Sequence, residues 1–229
     1  MAVDSTHPEY GEYSPLWKVA RDCVKGEPAI KAAGEDYLPR PTGKGDGSYE
    51  RYLARTHFSN FTGRTAEGLH GSVFSRGAEP PEGVSERFGD FLENIDNAGA
   101  SVGRFARELA WDVLQTGWGG ILVDMPPAPE GMTLGDMERR GLKPYLKRYA
   151  AESVINWRYG AEDGRTFLSL AVLRETFVDG GDEFAPAVKT RYRVLRLAGG
   201  AYTQQEYLPN EGADANNFGA YTGGPIIVV

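Results

Sequence analysis

The feature that most limits what this chain can become is a change of hydrophobic period at Gly117. Before it, apolar residues recur at steps of three and four; after it they alternate. A 3.6-residue period belongs to helices buried on one side, and a period of two to half-buried strands. Helices followed by strands, without regular βαβ alternation, predict an α+β fold in which N-terminal helices precede a mostly antiparallel β region. Three segments follow: an N-terminal arm at 1–13, a helical part at 14–116 and a β-rich part at 117–229.

In the helical part, "SPLWKVARDCVKG" places Leu16, Val19, Ala20 and Cys23 on one face, with Ser14 as predicted N-cap and Gly26 as the stop. "SYERYLARTHFSNFTGRTAEGLHGSVF" brings Tyr49, Tyr52, Leu53, Phe58, Phe61, Thr65 and Leu69 close to one face, as one long helix or two short ones broken near Gly63. A third helix carries Val84, Phe88, Phe91, Leu92 and Ile95. The clearest element holds Val102, Phe105, Ala106, Leu109, Ala110, Val113 and Leu114 in a stripe suited to burial.

Beyond Gly117, "GWGGILVDMPP" reads as a short strand after a glycine turn and "TLGDMERRG" as a brief polar helix capped by Thr133. Strands follow in "PYLKRYA", "VINWRY", "TFLSLAVLRETFV" and "VKTRYRVLRLAGGAYTQQEYL", the last turning back at Ala198-Gly199-Gly200. The apolar ending "GGPIIVV" reads as a strand with no cap or polar tail, so the chain is expected to be the N-terminal part of something longer.

Several motifs invite a chemical reading and then withdraw it. Gly43-Lys44 sits among glycines like a phosphate loop, but Gly45 stands where a hydroxyl is needed, Leu38 where the leading glycine belongs, and no buried strand precedes it. The segment from Pro39 to Ser48 is expected to be a solvated connection. "GASVG" matches a nucleophile elbow around Ser101, yet a helix end precedes it and His7, His57 and His70 all lie upstream, against the order of that triad. Ser101 is expected to cap the helix that follows. The three histidines and Cys23 lack zinc spacing, and Cys23 fits a small buried hydrophobe in a reducing compartment.

The acidic pairs Glu35-Asp36, Glu162-Asp163 and Asp182-Glu183 read as solvated turns, and the sequon at Asn60-Phe61-Thr62 has no secretory signal to give it meaning. Trp17, Trp111, Trp118 and Trp157 lack neighbouring basic runs and are expected in a core or a subunit interface rather than stacked on bases. With 229 residues, 41% of them hydrophobic, the composition is that of an ordinary globular protein, and a net charge of −7 argues against gripping nucleic acid through phosphates. No apolar run approaches the roughly 18 residues that span a bilayer, so a protein without membrane association, made in a cytoplasm, is expected. No catalytic, cofactor-binding or metal-binding residue is predicted.

Six ordered phrases carry a resemblance: "LWKVARDCVKG", "AAGEDYLPRP", "YERYLARTHFSNFTGRTAEGLHGSVFSR", "GWGGILVDMP", "PYLKRYAAESVINWRY" and "YRVLRLAGGAYTQQEY". Together, over about residues 13 to 229, the chain resembles the start of a tailed-bacteriophage family of portal-like proteins, long catalogued as a domain of unknown function. The resemblance implies a portal wing-like fold that ends before the stem and clip. It further implies a structural subunit of a homo-oligomeric ring, usually of twelve copies, at the capsid vertex of the virion. Its implied partners are other copies of itself, the capsid, the terminase and the tail connector, with DNA passing through the channel untethered. Two other readings stand beside it, a serine hydrolase using Ser101 and a stand-alone phage head adaptor.

Overall fold

The computed structural model describes residues 2–43, 45–77, 86–126, 128–129, 131–182, 184–209 and 218–221. Val84, Lys44, Glu183 and the "GGPIIVV" ending, with the side chains of Phe88 and Asp182, lie outside the described set. The chain is α+β, with N-terminal helices followed by antiparallel sheets. It divides into two compact units: a β unit of residues 1–12, 95–99 and 120–229, and a helical unit of residues 13–94 and 100–119.

The helical unit takes most of α1 (Pro8–Lys25), then α2 (Glu27–Ala33), α3 (Asp46–Arg55), α4 (Phe61–Val73), α5 (Glu86–Glu93) and α6 (Val102–Thr116). The expected start of α1 at Ser14 is corrected to Pro8. The backbone of His7 donates to the Ile155 carbonyl, its ring Nδ1 accepts from the Glu9 N–H, and the helix runs on through Pro15. Long-range anchoring thus overrides the cost of an internal proline. The break expected near Gly63 lies instead between Thr56 and Asn60: Thr56 ends α3 in an extended conformation and Asn60 caps α4 through the Gly63 N–H. Ser101 and Gly117 bound α6 as the sequence predicts, the glycine in the left-handed region at φ 72°.

In the β unit, β1 (Gly119–Asp124) and β2 (Tyr145–Ala150) form a two-stranded sheet, linked through α7 (Leu134–Arg139) with its Thr133–Asp136 capping box. A five-stranded antiparallel meander follows: β3 (Val154–Glu162), β4 (Arg165–Asp182), β5 (Ala185–Ala198), β6 (Ala201–Pro209) and β7 (Phe218–Tyr221). Asp163-Gly164 and Gly199-Gly200 form two-residue hairpin turns with positive φ at both positions, the twist-matching geometry. One face of the meander buries Ile155, Val172, Tyr192 and Val194 under Val3 and Tyr10 of the N-terminal segment. Period-two alternation sends Ala171, Leu173 and Glu175 of β4, opposite Leu195, Arg193 and Arg191 of β5, to the other face.

Candidate functional site

Two constructions stand out, one in each unit. In the β unit the second face of the meander carries ions where a core would ordinarily carry hydrocarbon. The Glu175 side chain is only 4% exposed. One of its oxygens accepts from Lys147 Nζ at 2.8 Å, from Arg193 Nε at 3.0 Å and from the Tyr149 hydroxyl; the other accepts from Arg191 Nε at 2.7 Å. Arg193 also reaches Asp124 at 2.9 Å and Glu206 at 3.0 Å, Arg191 reaches Glu206 at 3.0 Å, and the Tyr145 hydroxyl donates to Asp124. Lys147, Arg191 and Arg193 balance Asp124, Glu175 and Glu206, so the cluster is neutral, and its members come from β1, β2, β4, β5 and β6.

Burial alone would raise the Glu175 pKa, but the hydrogen bonds from Lys147 and Tyr149 and the charge of Arg193 outweigh it and hold the carboxyl at about 2. Burial and the neighbouring Glu175 carboxylate push the Tyr149 phenol up, and burial and Asp124 push Tyr145 up to about 12. A carboxylate so saturated with donors has no lone pair to offer a substrate and no affinity for a proton near neutrality. Chemically the cluster is a clamp that ties the β1–β2 sheet to the meander. Among the described residues no buried side-chain polar atom lacks a hydrogen-bond partner, as a buried ionic network requires if it is to hold a fold together.

In the helical unit, a cleft of about 450 Å³ opens between the end of α1, the start of α2 and the start of α4. Its floor is Asn60, whose amide nitrogen donates to the Val24 carbonyl at 2.9 Å while its oxygen caps Gly63 at 2.7 Å. Two glycines make room for it: a Cβ at Gly26 would lie 2.8 Å, and one at Gly63 2.5 Å, from the Asn60 amide nitrogen. Glu27 is fully engaged by Lys31 at 2.7 Å, the Phe58 N–H at 3.2 Å and His57 at 3.1 Å, and these donors, Lys31 foremost, lower its pKa to about 2. Lys25 and Arg64 stand exposed on the rim beside Phe61, which is 72% exposed.

The helical unit also leaves much of its apolar surface uncovered. Among the described residues Trp17, Ile30, Tyr49 and Phe105 are its large buried side chains, whereas Tyr13, Leu16, Val19, Tyr52, Phe61, Leu69, Val73, Val113 and Leu114 are exposed. In α1 and α4 the residues that share a face in the sequence are not the ones that pack inward. Trp17 anchors α1, stacked on Trp118 at 5.8 Å, so Leu16 and Val19 turn outward. The buried residues of α4 are Gly63 and Ala66, and Phe61, Leu69 and Val73 form an outer ridge. In α6 only Phe105 of the predicted stripe is fully buried; Leu109 is half-buried.

The residues weighed from the sequence are scattered. Ser101 accepts from the Arg104 N–H in an extended N-cap conformation. His7 stacks on Trp157 at 4.1 Å, His57 meets Glu27, and His70 touches the Arg107 carbonyl and the edge of Trp111. Cys23 is half-buried and free. Glu35 pairs with Arg40 and Asp36 with Lys18, while Glu162 and Asp163 occupy the exposed β3–β4 turn. Gly45 is the residue preceding α3. Among the described residues no group of three or more His, Cys, Asp or Glu is placed to hold a metal ion, and no helix is long and apolar enough to cross a membrane. No protein-family model matches the chain, and no curated protein matches it significantly.

Proposed function

We propose that this chain is a structural subunit of a tailed-phage portal ring, contributing the wing at the capsid vertex of the virion. The observation that carries the reading is the helical unit, which among its described residues exposes more large apolar side chains than it fully buries. Exposed large apolar side chains in such number fit a subunit whose neighbours cover them. The ordered sequence phrases that resemble portal-like proteins support it independently. So does the acidity of the chain, because a negative channel wall repels phosphate within about 8–10 Å and lets DNA slide. In this role the protein works by assembly rather than by turnover. Copies of the chain form the ring, usually twelve, and the ring in turn meets the capsid, the terminase and the tail connector.

Mass photometry and negative-stain microscopy of the purified chain test the reading. Association that rises with concentration and ring-shaped particles are expected, with no tight duplex DNA binding at physiological salt. A protein that stays monomeric at every attainable concentration overturns it.

A further inference from the structure

The cleft of the helical unit and the tip of the β3–β4 hairpin have opposite character. In the cleft the polar groups of Asn60 and Glu27 are engaged by partners within the chain. What remains at its rim is cationic and aromatic: Lys25, Arg64, the His57 ring, which is 94% exposed, and Phe61. The hairpin tip is a tight two-residue turn in which Glu162 and Asp163 set two carboxylates against the single guanidinium of Arg165, all exposed. Below the turn, Tyr159 and Leu168 are a paired, outward and exposed apolar couple.

We propose that the cleft of one copy receives the β3–β4 turn of a second copy, the carboxylates meeting Lys25 and Arg64 while Tyr159 and Leu168 cover Phe61. The proposal rests on the reading of this chain as a ring subunit and names the surfaces by which the copies join. A contact between two different patches is head-to-tail, the kind that forms a ring where its rotation closes. About 450 Å³ is room for a tight turn. The apolar ridge of α4 extends the contact past the cleft, toward the roughly 1,000 Å² that a lasting interface needs. Complementary charge fixes which patch meets which.

Two variants test this. The first carries Lys25→Glu and Arg64→Glu, making the cleft acidic. The second carries Glu162→Lys and Asp163→Asn, making the tip basic while keeping a residue that tolerates the φ of 50° at position 163. All four side chains are exposed, so circular dichroism and melting curves are expected to show each variant folding like the parent. In sedimentation velocity at moderate salt, each variant alone should associate about tenfold or more weakly than the parent. An equimolar mixture should associate again, because every cleft then finds a tip of opposite sign, and raised salt should weaken parent and mixture alike. Variants that associate as the parent does, or a mixture that remains dissociated, overturn this interface and leave the ring reading standing. A parent chain that never associates overturns both.

Discussion

The two units solve the problem of a small core in opposite ways. The β unit has hydrocarbon on one face of its meander and a neutral six-ion cluster on the other. The helical unit joins helices through small residues and a few aromatic anchors, and leaves Leu16, Val19, Leu69, Val73, Val113 and Leu114 outside. Ionic clusters are demanding in geometry and gain little over well-packed hydrocarbon, but removing one member leaves buried charges without partners. The helical surface carries no such penalty. Its exposed α4 ridge of Phe61, Leu69 and Val73 is expected to tolerate substitution with little change in the unit's stability. The β unit is therefore where stability is expected to be most sensitive to sequence, and the helical unit is where the proposed assembly would be.

The sharpest break of that contrast is Glu175→Ala. Arg193, Arg191 and Lys147 would lose their shared acceptor, and a loss of about 3–5 kcal/mol is expected in chemical denaturation. A loss below about 1 kcal/mol would mean that water already reaches the cluster.

Acid should reveal the same group. The folded-state pKa of Glu175 is depressed to about 2 from 4.5, so its contribution is present above pH 4.5 and disappears as the pH falls toward 2. The shift corresponds to something on the order of 3 kcal/mol. Denaturation midpoints measured across that window should fall steeply in the parent and more gently in Glu175→Gln, which has no proton to take up there.

In the helical unit Gly63→Ala should cost about 1–2 kcal/mol, because its Cβ displaces the Asn60 amide and with it the cap of α4. Ser101→Ala should cost about 1 kcal/mol through loss of the α6 cap, read in thermal melts. Ester hydrolysis that this substitution abolished would return Ser101 to chemistry. The smallest effect is expected for Leu69→Ser on the α4 ridge, within about 0.5 kcal/mol of the parent in stability. Its association should nevertheless weaken in sedimentation. If the monomer were destabilised instead, the ridge would be a core face after all.

Local signals with a single cause were legible in the sequence. The Ser101 and Thr133 caps, the Gly117 stop and the Gly199-Gly200 turn each depend on a few adjacent residues, and the structure has them where the pattern places them. Periodicity shows that a helix has an apolar face but not whether its own chain covers that face, which is why Val113 and Leu114 of the α6 stripe, expected to be buried, stand exposed. The ion cluster was hidden for a related reason. Along "TFLSLAVLRETFV" both faces are apolar near Val172, so the alternation does not mark Glu175 as inward. The hint was there: Glu175 of β4 and Arg191 and Arg193 of β5 fall on the same parity once the register is known. Lys147 and Asp124, from the other sheet, carried no such hint.

The strand register carries one more consequence. β3 pairs with β4 only as far as Leu173, and β6 with β5 only as far as Tyr192, whereas β4 and β5 continue together to Asp182 and Ala185. The outer part of that ribbon has two strands where the body has five, and two strands alone are marginal in water. Amide protons should therefore exchange in a gradient, fastest around Val178 and Val188 and slowest around Val172 and Val194. The clamp at Glu175 and Arg191, just where the ribbon leaves the sheet, would act as the latch at which this partial opening stops.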